Sequence, residues 1–367
     1  MSDIPRKKFH YIRIYENLAK KISSGEYSVG RLIPSEKELC KIYDVERTTV
    51  RKALELLVKD GMLRKIQGVG AKVVSAESLN HPQDTFQKND IVLFFLATTP
   101  EKKDRLTQPF YSSMFFYIEN DLKMRGYKTI YSTISENDNI KEILSRYDFA
   151  GIIFASYGVA DKHLEYVDAN KIPYVTINKD YETAVFIASD NYHGGYLMGR
   201  HLIELGHRKI ALLKGTETDN SCQKRLAGIT IALNEGGIKI DQRYARSANW
   251  VAEQGYIQMK DIIKKNINDL PTSVLAFNDG TALGAIRAIH EMGIKVPEEI
   301  SVSGFDNIDQ SEFTAPPLTT IDCNVKNISK IAVTILHDKI HGMVLNNIKV
   351  LIPVKLIVRE STGPVNL

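Results

Sequence analysis

The 367-residue sequence is poor in cysteine and tryptophan, with only Cys40, Cys222, Cys323 and a single Trp250. Three thiols so far apart make neither a zinc cluster nor a disulfide framework. They read as free thiols in a reducing cytoplasm. No stretch reaches the roughly eighteen consecutive apolar residues of a membrane helix. The basic start MSDIPRKKFHY has no apolar segment behind it, so neither a membrane span nor a secretory signal is expected. Catalytic motifs are missing too: there is no Gly-x-Ser-x-Gly elbow, no His-Glu-x-x-His and no glycine-rich nucleotide fingerprint between a strand and a helix. The nine histidines read as scattered, without metal-ligand spacing. No catalytic residue, metal or cofactor is expected, and the chain does not read as an enzyme.

What is present is an ordinary globular composition, 43% hydrophobic and 25% charged, with an uneven distribution of charge. Residues 1–75 hold 16 Lys and Arg against 9 Asp and Glu, a net +7, while the remaining 292 hold 32 against 35, a net −3. A basic head on a slightly acidic body favours a polyanionic partner for the head.

The head shows the helix pattern that gives this charge a meaning. Residues 9–24 repeat apolar side chains at Ile14, Leu18 and Ile22, the period of an amphipathic helix. Ser35 and Glu38 form a capping box that opens a short helix over 35–42, expected to bury Leu39 and Ile42. Tyr43-Asp44-Val45 makes a tight turn, and a second helix runs from Arg47 to Lys59 with Val50, Ala53, Leu54, Leu57 and Val58 facing inward. Met62–Ile66 and Ala71–Val74 flank Gly68-Val69-Gly70 as a small hairpin. Two helices joined by a tight turn and followed by a wing make a DNA-reading unit. In the second helix, Arg47, Thr48, Thr49 and Lys52 suit phosphate oxygens, and Arg51 suits a guanine edge. Gln67, at the wing tip, suits a base edge; Lys65 and Arg64 suit phosphates.

The stretch from Leu32 to Val74, LIPSEKELCKIYDVERTTVRKALELLVKDGMLRKIQGVGAKVV, resembles the DNA-binding domain of the GntR family of bacterial regulators. Pro34, Ser35, Arg47, Thr49, Arg51, Gly68 and Gly70 fall on that family's pattern, which implies a winged helix-turn-helix bound to double-stranded DNA. Glu46 stands where the family usually has serine.

Residues 76–89 are polar and lack periodicity, and read as a linker. From residue 90 onward, apolar strand-like runs alternate with helical segments. The strands are expected at 91–97, 127–132, 151–156, 174–178, 209–213, 274–277 and 300–304, with helices at 112–125, 193–205 and 281–292 and a strand–helix pair within 221–236. Such alternation over some 270 residues makes an α/β domain of two lobes. Ligands bind beyond the carboxyl ends of such strands. Polar and aromatic groups expected there are Tyr111, Gln223, Trp250, Asn278 and Asp306, with Arg225 beside Gln223.

The strings LMGRHLIELGHRKIALL (197–213), RLAGITIAL (225–233), SVLAFNDGTALGAIRAIHEMGIKVPEEISVSGFDN (273–307) and LIVREST (356–362) resemble the LacI/GalR effector domain. This resemblance implies a periplasmic-binding-protein-like fold, with Asn278 and Asp306 contacting the effector. It further implies that Gln223 occupies the place of an effector-binding arginine and that Arg225 is a more structural one. A GntR-type head on a LacI-type body is similar to the arabinose-repressor type of Gram-positive regulators. That arrangement implies a homodimeric repressor on a palindromic operator, released by a small sugar such as arabinose. A non-sugar or phosphorylated effector, and an enzyme with a DNA-binding appendage, remain as alternatives.

Overall fold

A computed structural model describes residues 10–59, 61–66, 70–74, 90–98 and 105–365 of the chain. The chain divides into two compact units, Met1–Phe86 and Gln87–Leu367. The expected linker over 76–89, and Gln67 and Gly68 of the wing, lie outside the described residues.

The first unit holds α1 (His10–Ser23), α2 (Glu36–Tyr43), α3 (Arg47–Lys59) and the antiparallel pair β1 (Leu63–Ile66) and β2 (Gly70–Val73), in register Leu63↔Val73. The capping box forms as expected: the Glu38 backbone N–H donates to Ser35 Oγ at 3.3 Å, and the Ser35 N–H donates to Glu38 Oε2 at 2.7 Å. Asp44 adopts a left-handed φ of 49° and so turns the chain from α2 into α3. Ile14, Leu18, Ile22, Leu39, Val50, Ala53, Leu54 and Leu57 close one core with Met62 and Val73. Ile42, expected inside, is instead 59% exposed. An eight-residue helix presents only one narrow stripe to α3, and Leu39 occupies it.

In the second unit, lobe 1 comprises β3 (Ile91–Ala97), α4 (Pro109–Met124), β4 (Lys128–Ile134), α5 (Ile140–Leu144), β5 (Gly151–Ala155), α6 (Asp161–Ala169), β6 (Tyr174–Ile177) and β7 (Val185–Ser189). Lobe 2 comprises α7 (Asn191–Glu204), β8 (Ile210–Lys214), α8 (Asn220–Glu235), β9 (Ala245–Ser247), α9 (Ala252–Lys265), β10 (Ser273–Ala276), α10 (Asp279–Glu291) and β11 (Ser301–Ser303). The chain then leaves lobe 2 through β12 (Thr320–Asp322), contributes α11 (Val325–Ile340) and β13 (Ile348–Ile352) to lobe 1, and returns as β14 (Lys355–Ile357), antiparallel to β12. The sheet orders are β13-β7-β6-β5-β3-β4 and β11-β10-β8-β9, with every neighbour parallel.

The unbroken apolar run of β3 now has its reason. Val92, Phe94 and Leu96 pack under α4 and α11, while Leu93, Phe95 and Ala97 pack on the opposite side under α5 and α6. Both faces are covered, so no alternation appears in the sequence. Lobe 2 repeats this, with Ala211 and Leu213 facing α9 and α10 and Leu212 facing α7 and α8. Helices α7 and α8 lie so close that a Cβ on Gly228 would meet the Tyr192 carbonyl oxygen at 2.0 Å. Where a strand and a helix were expected within 221–236, the chain forms the single helix α8, ended by Gly236. The strand belonging to it is β8, before it.

Candidate DNA interface and effector cavity

Helix α3 buries one side and exposes Arg47, Thr48, Arg51 and Lys52, with Thr49 half-buried. Glu36 of α2 organises this face. Its Oε2 accepts from Arg47 Nε at 2.7 Å, and Arg51 Nε lies 3.2 Å from the same oxygen. Arg47 first, and then Arg51, hold the Glu36 carboxyl below its ordinary range. Both arginines are thereby held through Nε, and their terminal nitrogens remain for other acceptors. Ser35 is exposed, but its hydroxyl donates to Glu38 Oε2 at 2.8 Å and so serves the cap. Lys65, on the wing strand, stands 3.9 Å from Glu55 of α3.

The second unit encloses a cavity of about 390 Å³ between its lobes. Every part of its wall follows the carboxyl end of a strand. From lobe 1 come Arg105, Gln108 and Tyr111 after β3, Tyr157 after β5 and Asn178 after β6; from lobe 2 come Asp219, Ser221 and Arg225 after β8, Trp250 after β9, Asn278 after β10 and Asp306 after β11. Several of these positions carry left-handed backbone without glycine: Ser156 beside Tyr157, Asn178, Trp250 and Asp306, at φ 86°, 59°, 65° and 115°. Strain of this kind persists only where packing enforces it, and it gathers at ligand sites.

Each lobe supplies one buried guanidinium. Arg105 donates to Tyr111 Oη at 2.7 Å and to Ser156 Oγ, with its plane 4.4 Å from the Tyr111 ring centroid. Arg225 donates from Nε to Asn191 Oδ1 at 2.8 Å, from Nη1 to the Phe277 carbonyl and from Nη2 to Asp306 at 3.4 Å. Its charge lies 3.6 Å from the Phe305 ring centroid and 5.2 Å from that of Trp250. Burial pushes the Asp306 carboxyl up to about 6, with Arg225 drawing it back. Burial raises Asp219 as well; that side chain caps α8 by accepting from the Ser221 N–H at 2.8 Å. Deeper still, Asp279 is raised to about 7 by burial, and it accepts from Ser311 Oγ at 2.7 Å, Thr320 Oγ1 at 2.5 Å and the Ile308 N–H at 2.9 Å.

Four of the five effector residues expected from sequence line this cavity: Tyr111, Trp250, Asn278 and Asp306. Asn278 does so while also capping α10 (Thr281 N–H to Oδ1, 3.0 Å) and donating to the Trp250 carbonyl at 3.3 Å. The indole ring fills the space left by Gly215, whose Cβ would meet it at 2.2 Å. Its Nε1–H is buried with no hydrogen-bond partner among the described residues. Gln223 does not fit the expectation: it is exposed, donates to the Glu217 carbonyl at 3.1 Å and is absent from the wall. One helical turn has a fixed facing, and two residues further on, Arg225 points into the cavity. The structure therefore places Arg225, and not Gln223, in the cavity wall. Arg105 and Tyr157 were missed because their loops carry no periodic pattern. The sequence reading also passed over His337 and His341, spaced four residues apart on α11.

Two hydrogen bonds cross the cleft: Tyr157 Oη to Thr216 Oγ1 at 3.2 Å, and Gln108 Nε2 to the Trp250 carbonyl at 3.5 Å. The cavity is thus walled by both lobes and bridged by their side chains. A DNA-reading winged helix and a ligand-sensing, two-lobed body define a transcription regulator, not an enzyme. Residues 10–73 match the family of bacterial regulatory proteins of the gntR family, and residues 200–362 match the periplasmic binding protein-like domain. The chain belongs to the transcription regulators that join a GntR-type head to a LacI-type effector domain. It is 30% identical over 329 residues to the arabinose metabolism transcriptional repressor of Halalkalibacterium halodurans, covering 86% of this chain and 84% of that protein. It is 31% identical over 260 residues to the transcriptional repressor PurR of Pasteurella multocida, covering 69% of this chain and 77% of that one. The LacI family regulator of Enterococcus faecium with bound ribose superposes at a TM-score of 0.67 with 28% identity, over 75% of this chain and 100% of that one.

Proposed function

We propose that this chain represses a sugar uptake or catabolism operon, as a cytoplasmic homodimer on a palindromic double-stranded operator, and that a small neutral sugar such as arabinose releases it. The observation that carries this reading is the charge balance of the cavity wall. Two buried guanidinium groups, Arg105 and Arg225, face two buried carboxyls, Asp219 and Asp306, among the rings of Phe110, Tyr111, Tyr157 and Trp250. Planar donors and acceptors next to aromatic faces match the hydroxyls and C–H faces of a polyol. A near-neutral wall disfavours a phosphate. The volume lies within the range of small-ligand sites. The relatives support the same reading, since one represses arabinose metabolism and another has ribose bound.

On the DNA side, Arg51 reads a guanine, Arg47, Thr48, Thr49 and Lys52 hold phosphates, and one short helix covers a half-site, so two copies are required. The sugar joins the lobes, and the coupling free energy between the two sites lowers operator affinity. The test is fluorescence anisotropy with the promoter fragments adjoining the gene, titrated with L-arabinose, ribose, xylose, galactose, their phosphates and purine bases. One neutral sugar is expected to release the DNA. Release by phosphorylated sugars or purines alone, or by none of the panel, overturns the proposal.

A further inference from the structure

Helix α11 carries a feature that belongs neither to the DNA face nor to the cavity. His337 and His341 stand one turn apart at its C-terminal end, with ring centroids 4.2 Å apart and planes tilted by 47°. A spacing of four places both imidazoles on the same helix face. His341 Nδ1 lies 2.8 Å from the carbonyl oxygen of His337. A carbonyl only accepts, so Nδ1 carries the proton, and in the neutral ring Nε2 keeps its lone pair. His337 Nδ1 lies 3.2 Å from Tyr127 Oη, an oxygen that accepts as readily as it donates, so the same tautomer is available to this ring. Imidazoles anchored through one nitrogen and open at the other are the arrangement that metal-ligating histidines show.

The surroundings favour the neutral, ligating form. Burial first, and then His341 and Arg125, hold His337 below its ordinary range. Arg125 itself is turned to Thr334 Oγ1 at 2.9 Å. The pair sits at the C-terminal end of a 16-residue helix, with His341 as its cap, where the negative end of the helix dipole favours a cation. None of the residues lining the effector cavity lies on α11.

We propose that His337 and His341 form a two-imidazole chelate for a divalent transition-metal ion of the copper, nickel or zinc type. No group of three or more His, Cys, Asp or Glu placed to hold a metal occurs among the described residues, so water completes the coordination and the ion exchanges freely. The site is a reversible one, separate from the effector cavity. Copper(II) is the strongest binder of the series at nitrogen ligands and is the probe to use.

The experiment is calorimetric titration of the untagged full chain with copper(II) chloride in a non-chelating buffer, with electron paramagnetic resonance at one equivalent. A single tightest site with the hyperfine pattern of two nitrogens is expected. His341→Ala and His337→Ala each weaken it by about tenfold or more, because even the supporting partners of metal ligands are worth that much. The double variant is at least as weak as either single one. His290→Ala, which removes an exposed histidine of α10, leaves it unchanged. His341→Gln, read beside a circular dichroism spectrum, separates loss of a ligand from loss of the helix end. Wild-type affinity in the double variant, or a spectrum without two nitrogens, overturns the proposal.

Discussion

The head and the body solve the problem of holding polar groups in opposite ways. The polar groups on the outer face of α3 are mostly exposed and sit within six residues of one another, from Arg47 to Lys52, with Arg47 and Arg51 positioned by a single carboxylate from the preceding helix. The charged groups around the cavity are buried and come from segments spread over two hundred residues, from Arg105 to Asp306, with both guanidinium groups satisfied by several partners. A surface that meets a polyanion needs little beyond charge and facing, because water satisfies its groups until DNA arrives. A cavity must compensate every buried charge in the empty state as well. Substitutions in the two places should therefore fail differently: in the body through folding and ligand together, in the head through DNA alone.

The largest effect is expected at Arg225→Ala. It leaves Asp306 buried without its cation, and breaking such a pair costs about 3–5 kcal/mol. Urea unfolding and effector titration should both be damaged; a variant of unchanged stability would remove the contrast with the head. Next comes Gly215→Ala, whose methyl overlaps the Trp250 ring. Overpacking of this kind costs about 1–3 kcal/mol. Because Trp250 is the only tryptophan, its emission reports the shift directly, and it should also respond to effector in the unmodified chain. Arg51→Ala should cost about 1–3 kcal/mol of operator discrimination, measured by competition between operator and unrelated DNA, with the unfolding midpoint unchanged. A loss of stability there would show that the face is structural.

A further expected effect is one of pH. Asp279 and Asp306 are held near 7 and 6 by burial, against an ordinary 3.8 once unfolded. Between pH 4 and 7 the unfolded chain therefore binds fewer protons than the folded one, and the stability owed to these two groups falls as pH rises through that window, then levels off above it. Comparing the urea midpoints of the unmodified chain and Asp279→Asn at pH 5 and pH 8 isolates that slope. In the head, Glu36 and Glu38 are instead lowered by their hydrogen-bond partners.

The same contrast explains what could be read from sequence. The head was legible almost residue by residue, since capping box, turn and apolar stripe are all local patterns; only Ile42 was misplaced, by the narrowness of α2. In the body, the strands and the residues at their ends were legible because a buried parallel strand is an uninterrupted apolar run and sites lie past its carboxyl end. Asn278 and Asp306 were found in that way. Arg105 was not, because it stands in a three-residue 3-10 turn, too short to carry a pattern, and is held by Tyr111 and Ser156.

The sequence alone determined the two-part architecture, the exposed basic face of α3 and most of the order of strands along the chain, because each rests on contacts within about one turn of helix or one strand. Only the tertiary structure decided which side chains share the cavity. It replaced Gln223 with Arg225, since facing on α8 depends on where that helix packs against α7. It brought Arg105 of lobe 1 opposite Asp219 and Asp306 of lobe 2, a pairing of charges across distant segments that no local pattern encodes. The scarcity noted at the outset acquires a place by the same means: the lone Trp250 and two of the three cysteines, Cys222 and Cys323, cluster in the lobe 2 core beside the cavity.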